Sequence, residues 1–379
     1  MKKYLIHIAV FLLMLTPASH AAYIDTDAEV AVVIDGHTGK VLFSKDKDKK
    51  TYPASMTKIM TTLIIFEKLA NETLSLDDKF LVSEKAWRER EGSSMFVEVD
   101  KEIRVEDLLR GIIVQSGNDA CIVVAENIAG TEESFAKMMT QKAKEIGMKN
   151  TNFTNSTGMY DKDNYSTVYD IALLSMHLIN EYPQYYHLFA ETEFEWSGIK
   201  QNNRNSLLYK NMGVDGLKTG HLSKSGYGLA ASAVDQNRRV ISVVNGFEST
   251  QKRTQGSSRL ITWAFREFTN LKLFEKEDIV GQVEISGASN KESDVSTGEE
   301  IIITVPKSKR DGLTTTNIVV DDNISAPLNA GDKVGYLEIS VPGEENQTYE
   351  LYATNEIDRS NIFVRFFNYL INLILSLFN

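Results

Sequence analysis

The chain has 379 residues, a formal net charge of −11, 42% hydrophobic and 25% charged residues, and one cysteine. That length allows two or three domains with ample core, and the apolar and charged contents are those of a folded globular protein. The acidic balance argues against sequence-independent nucleic-acid binding, which needs a basic footprint, and the lone Cys121 rules out an intrachain disulfide framework.

In chain order, residues 1–21 read as a secretory signal peptide. Lys2 and Lys3 form the basic region, Leu5 to Leu15 the apolar region, and Ser19-His20-Ala21 a small-x-small cleavage site. An uncleaved anchor helix is the alternative. No cysteine follows the cleavage site, so the chain is not a lipoprotein. Ala31 to Phe43 reads as a β-hairpin around a glycine-containing turn. In YPASMTKIMTTLIIF, Tyr52 to Phe66, apolar residues recur at Met56, Ile59, Met60, Leu63 and Ile64, the spacing of a helix. Ile65 and Phe66 fill another face, so the helix is expected in the core, with Ser55 in its first turn after Pro53. Residues three apart share a helix face, so Ser55 and Lys58 can touch. An N-capping serine beside a snorkelling lysine is the plainer reading of the pair.

Glu84 to Asp100 is polar and expected to be a loop. Helical periodicity marks Val105–Val114, Asp119–Ile128, Ser134–Ile146, Tyr169–Asn180 and Ser257–Phe268. Tyr227–Val234 and Arg239–Asn245 read as strands of a second hairpin. Strands, then helices, then strands predict an α+β domain with helices on an antiparallel sheet, assigned to residues 22–270. Short strand-like runs such as EEIIITVP and KVGYLEISVP make residues 271–355 a small all-β domain. Residues 356–379 are expected to form an amphipathic helix, its polar stripe being Asn361, Arg365, Asn368, Asn372 and Ser376. The 19 residues from Asn361 would reach about 28 Å as a helix, against a hydrocarbon core of about 30 Å, so length alone does not decide its orientation. The continuous stripe favours lying flat in a membrane interface over spanning it.

Three short stretches carry the chemistry: Ser55-Met56-Thr57-Lys58, Ser116-Gly117-Asn118 at a break between two helices, and Lys218-Thr219-Gly220-His221. Their order, with separations of about 60 and about 100 residues, matches the S-x-x-K, S-D-N and K-T-G set of serine acyltransferases, with Gly117 in place of the aspartate. Each tripeptide alone is weak, and Ser116-Gly117-Asn118 also suits an ordinary turn. A serine hydroxyl needs a base to become a nucleophile. Lys58 can serve only when neutral, and at a pKa of about 10.4 roughly one lysine in 2,500 is neutral at pH 7. Burial and a neighbouring cation, Lys218, are the expected means of lowering it. The six histidines, His7, His20, His37, His177, His187 and His221, show no metal-ligand spacing, so no metal and no cofactor is expected. Cys121 reads as a buried core thiol.

The stretches PASMTKIMT, GSSMF, IIVQSGNDACI, NSTGM, NRNSLL, VDGLKTGH and LITWAFREF make the chain resemble a low-molecular-mass penicillin-binding protein of the serine D-alanyl-D-alanine carboxypeptidase type, from Ala28 onward. The resemblance implies a β-lactamase/transpeptidase-like catalytic domain followed by the β domain and an anchor helix. It implies removal of the terminal D-alanine from peptidoglycan stem peptides ending in D-Ala-D-Ala, acylation by β-lactam antibiotics, and residence at the periplasmic face of the inner membrane. Ser55 would be the nucleophile, Lys58 the base, Ser116 a proton relay and Asn118 a hydrogen-bond partner of substrate and lysine. Lys218, Thr219 and Arg253 would hold the substrate carboxylate, Gly220 would let the substrate approach the strand edge, and His221 would be positional. Backbone N–H groups of Ser55 and His221 would form the oxyanion hole. Arg204 is a weaker candidate with a structural reading. A D,D-endopeptidase or transpeptidase, a weak β-lactamase and a mainly structural cell-shape factor are the alternatives. The E-x-x-L-N string of class A β-lactamases is absent from the sequence.

Overall fold

A computed structural model describes residues 23–88, 91–289, 292–309, 315–342 and 344–361. The signal peptide at 1–21 and nearly all of the tail helix expected at 356–379 lie outside them. In the catalytic domain, β1 (Val30–Asp35) and β2 (Val41–Lys45) form the first hairpin. A 3-10 turn, Ala54–Thr57, leads into α1 (Lys58–Ala70). Strands β3 (Lys79–Leu81) and β4 (Glu102–Arg104) pair around α2 (Glu84–Arg88). Helices α3 (Val105–Ile113), α4 (Asn118–Ala129), α5 (Glu132–Ile146), α6 (Val168–Glu181) and α7 (Pro183–Tyr186) follow, then the hairpin β5 (Glu193–Trp196) and β6 (Ile199–Asn202). Strands β7 (Val214–Leu222), β8 (Gly226–Asp235) and β9 (Arg238–Phe247) precede α8 (Thr250–Glu267).

The main sheet is antiparallel, in the order β2-β1-β9-β8-β7. Its strands are apolar on both faces because helices cover both. Along β1, Val30, Val32 and Ile34 enter the core built with α1, α3, α4 and α6, while Ala31 and Val33 face the core built with α8. Helix α1 is buried all round, as its oily sequence demands, and even Lys58 is 0% exposed. Local signals set the helix ends. Thr131, Thr167 and Ser249 cap α5, α6 and α8 by accepting backbone N–H bonds, and Gly147 closes α5 in the left-handed conformation.

Two elements differ from the sequence expectation in ways that shape the site. The strand carrying Lys218, β7, is composed of VDGLKTGHL, whose glycines and charges hide its strand character. Helix α8 begins at Thr250, not Ser257, because the Ser249 cap starts it through a polar stretch with no apolar period; Arg253 is therefore a helix residue. Ser55 lies in the 3-10 turn ahead of α1, one step outside the α-helix proper.

The second domain contains β10 (Phe268–Phe274), β11 (Gly281–Val283), β12 (Ser293–Ser296), β13 (Ile301–Pro306), β14 (Thr315–Val320), β15 (Lys333–Ser340) and β16 (Gln347–Ala353). One sheet runs β11-β12-β16-β15-β14, and β10 pairs with β13. Their apolar faces close a separate core that includes Val295, Ile303, Leu337 and Leu351. The described start of the tail is not helical: Ile357 bridges to Leu328 and Arg359 to Ala288, which keeps the chain on the β domain past residue 355. Among the described residues no helix is long and apolar enough to cross a membrane.

Candidate active site

A cleft of about 500 Å³ opens between the α1 turn, the α3–α4 junction and the edge strand β7, lined by Ser55, Gly92, Ser93, Ser116, Arg204, Thr219, Gly220, His221, Tyr227, Thr250 and Arg253. A larger groove of about 790 Å³ lies in the β domain, around Ser296 to Glu299 and Tyr352, and contains none of the motif residues. The smaller cleft is the candidate site, because that is where the Ser55 and Ser116 hydroxyls meet buried amines.

The Lys58 ammonium position is defined by three contacts. Nζ lies 3.1 Å from Ser55 Oγ, 2.7 Å from Asn118 Oδ1 and 2.6 Å from the Thr157 carbonyl. Asn118 Nδ2 donates to the Glu91 carbonyl at 2.8 Å, which turns Oδ1 toward the lysine. A neutral amine has two N–H groups and one lone pair. Two of the three neighbours can only accept, so the lone pair is left for Ser55. Burial lowers the Lys58 pKa; the charge of Arg204 adds to this, while Cys121, Asp119 and Glu132 pull the other way. The same contacts could hold the ammonium once a proton has arrived.

Lys218 is also buried, 3% exposed, but Nζ has only a 3.5 Å approach to the Thr219 carbonyl. Burial drives its pKa well below the ordinary value, with Lys58 and then Arg204 adding repulsion. The sequence expectation made Lys218 a cation acting on Lys58; the two lysines lie close enough to repel, Arg204 acts on both, and Lys218, with the poorer contact, is the amine less able to keep a proton. Arg253 is buried, 4% exposed, not a solvated surface residue. Its Nη2 makes a 3.4 Å bond to the Arg204 carbonyl, its Nε has no partner among the described residues, and burial pushes its pKa down to about 10. Among the described residues, the lining of the cleft thus holds two arginines and no carboxylate side chain, which suits a carboxylate ligand.

Two residues at the cleft carry backbone strain. Ala54 and Ser116 hold φ of +52° and +60°, a region unfavourable for residues other than glycine. Gly220 has an additional reason to be glycine: a Cβ there would sit 2.7 Å from the Pro53 carbonyl oxygen, so its bareness lets β7 close on the Ser55 turn. His221 stacks on Tyr227 with centroids 4.0 Å apart. Cys121 is buried, and burial pushes its thiol up to about 12, as an inert core group.

This combination of a serine–lysine pair, a second serine on a strained helix junction and a lysine on the facing strand is accompanied by a sequence match: the family described as D-alanyl-D-alanine carboxypeptidase matches residues 16–249. The chain belongs to this D-alanyl-D-alanine carboxypeptidase family. The C-terminal domain of penicillin-binding protein 5 matches residues 268–359. D-alanyl-D-alanine carboxypeptidase DacA of Haemophilus influenzae is 33% identical over 93% of this chain and 91% of its own. The structure of penicillin-binding protein 5 from Haemophilus influenzae covers 90% of this chain and 100% of that one at a TM-score of 0.85 and 32% identity. Penicillin-binding protein D2 from Listeria monocytogenes, solved in an ampicillin-bound form, covers 64% of this chain and 99% of that one at a TM-score of 0.59 and 29% identity.

Sequence reasoning about this carboxypeptidase-family chain underrated or missed three groups. Arg204, on the cleft rim, donates to Ser93 Oγ and influences both lysines. Asp119, buried behind Asn118, accepts from the backbone N–H groups of Met95, Phe96 and Val97 and from Ser94 Oγ, pinning the loop beside the cleft. Its signal was present: an acidic residue in the first turn of a helix. The third, the Thr157 carbonyl, has no side-chain signature.

Proposed function

We propose that this D-alanyl-D-alanine carboxypeptidase works by acyl transfer to Ser55. The substrate is a peptidoglycan stem ending in D-Ala-D-Ala. Its terminal carboxylate is held by Lys218, Thr219 and Arg253, and its backbone lies along the edge of β7. Lys58, neutral at rest, takes the Ser55 proton as Oγ attacks the penultimate carbonyl carbon. The backbone N–H groups of Ser55 and His221 stabilise the oxyanion. The proton passes from Lys58 through Ser116 to the leaving nitrogen, the C–N bond breaks, and D-alanine departs. Water then attacks the ester, with Lys58 again the base, and Ser55 is restored. A β-lactam enters the same path, but its leaving nitrogen stays tethered to the acyl group.

The observation that carries this reading is the hydrogen bonding of Lys58, which leaves its lone pair for Ser55. Ser55→Ala should abolish covalent labelling by a fluorescent penicillin and release of D-alanine from a D-Ala-D-Ala peptide, while the thermal transition stays nearly unchanged. Labelling that persists in that variant would disprove the assignment. The export signal at 1–21 and the amphipathic tail support a second part of the reading: the enzyme works at the periplasmic face of the inner membrane, peripherally attached. Truncation after Arg359 should release a soluble protein that still binds penicillin. A cysteine added after Asn379 that reacts with a cytoplasmic reagent in intact cells would replace the flat tail with a spanning one.

A further inference from the structure

The NSTGM stretch has no role in the steps above, yet its backbone makes the shortest contact to Lys58. Asn155 organises it. Its Oδ1 accepts from Thr157 N at 3.2 Å, Thr157 Oγ1 at 3.0 Å and Gly158 N at 2.7 Å, and its Nδ2 donates to the Met159 carbonyl at 3.1 Å. The turn is held from outside as well. Thr61 Oγ1, on the helix that carries Lys58, donates to the Ser156 carbonyl at 2.7 Å. Ser156 N and Oγ both donate to Glu132 Oε1, at 3.2 and 2.8 Å, while Glu132 Oε2 pairs with Lys85. Gly158, at φ +80°, is packed so closely on the nucleophile turn that a Cβ would fall 1.9 Å from the Ala54 carbonyl oxygen. One helix thus grips two successive carbonyls, Ser156 through Thr61 and Thr157 through Lys58.

We propose that Asn155 is a positioning residue for the acylation step: by fixing the Thr157 carbonyl it occupies one N–H of Lys58 and aims the amine lone pair at Ser55. The proposal rests on Lys58 being the base. The Thr157 carbonyl is an obligate acceptor whose direction is set by the backbone, and Asn155 fixes that backbone through both ends of one planar amide. If the carbonyl swings away, the amine can rotate its lone pair from Ser55 and spend an N–H there instead. Glu132 supports the same turn from behind and supplies a negative charge that raises the proton affinity of Lys58.

The test measures acylation by a fluorescent penicillin and kcat/KM on a D-Ala-D-Ala peptide, both as functions of pH. Asn155→Ala should still label to one equivalent at long times, with its acylation rate constant reduced by about 10²-fold, the cost of a misaimed reacting group. Glu132→Gln keeps an acceptor for Ser156 but removes the charge, so the acid limb of the acylation profile should move to lower pH. Asn155→Asp adds a charge and should move that limb to higher pH. The limbs report charge near Lys58; a purely structural turn would leave the plateau rate constant of each folded Asn155 variant at the wild-type value. Wild-type acylation rates in Asn155→Ala, with only a lowered melting temperature, overturn the proposal; so do wild-type rates in Asn155→Leu, which fills the same space without hydrogen bonds and decides the matter should Asn155→Ala fail to fold. Lys58→Arg separates this failure from that of the base assignment. A dead Lys58→Arg beside a fully active Asn155→Ala removes only the positioning role, whereas an active Lys58→Arg removes the base itself.

Discussion

Buried basic side chains in the catalytic domain are treated in two opposite ways. Arg238, where the catalytic and β domains meet, is neutralised: Nε donates to Asp35 Oδ2 at 2.9 Å, and Nη1 donates to the Ala264 and Phe268 carbonyls at 3.0 and 2.9 Å. Asp35, itself fully buried, also accepts from His37 N and Thr38 N, and at longer range from Asn270 Nδ2. Burial lowers the Arg238 pKa, but Asp35 opposes that shift. Among the described residues, Lys58 and Lys218 have no carboxylate bonded to them, only neutral oxygens. A buried charge with its counterion is a structural fixture; a buried amine denied one is held near the point of losing its proton. Breaking the pair at the domain junction would leave a buried charge without its counterion, whereas the cleft already buries amines without one.

Substitutions can break that contrast, and the largest effect is expected at the base. Lys58→Arg preserves a cation but cannot deprotonate. Acylation by penicillin should fall by about 10³-fold, measured per folded molecule. At the junction, Asp35→Ala leaves Arg238 buried without its counterion and should lower unfolding stability by about 3–5 kcal/mol in denaturant titration. Its acylation rate constant, once folded, should stay within about twofold of wild type, since the sites share no partner. A large loss of stability in Lys58→Arg with activity retained, or the reverse pattern in Asp35→Ala, would erase the distinction.

Lys218→Met sharpens the comparison from the other side. It removes an ill-satisfied amine and loses only one long hydrogen bond, so the variant should gain on the order of 1 kcal/mol at neutral pH. The pH dependence has a definite sign. Lys218 has a depressed pKa in the folded protein and the ordinary value, 10.5, once unfolded. Between these two, the unfolded chain binds the extra proton, so wild-type stability rises with pH through that window. Below the depressed value the penalty for burying the ammonium is fully present. Lys218→Met should flatten the rise, as read from melting temperatures against pH. The smallest effect belongs to the partly exposed rim of the junction. Glu344 bonds Lys40 across the domains at 2.8 Å and Lys309 at 3.1 Å. Glu344→Gln should cost no more than about 1 kcal/mol, and less in high salt.

Legibility followed range. The Ser55–Lys58 contact could be read from residues three apart on a helical pattern, and the buried character of α1 from its oily run. The helices with clear apolar periods were visible for the same reason. Strand β7 was not, because its residues are chosen for what they hold and for the close approach of the Ser55 turn at Gly220. The start of α8 was not, because capping by Ser249 rather than an apolar face begins it. Arg253 was named by resemblance, but its burial came only with α8 packed behind β9.

By itself, the sequence determined the α+β class, the all-β module and the reach of Lys58 to Ser55, because these depend on side-chain identity and on the local periods of helix and strand. Tertiary structure alone decided the surroundings of Lys58. The Thr157 carbonyl, 99 residues beyond Lys58, belongs to a group every residue carries, so no sequence letter marks it. The absence of a counterion is likewise a property of space, not of sequence: Asp119 and Glu132 are near enough for their charges to act on Lys58, but they are bonded to the loop at Ser94–Val97 and the turn at Ser156. Whether a buried cation is neutralised or left able to give up its proton depends on distances of a few ångströms between segments that only the folded chain brings together.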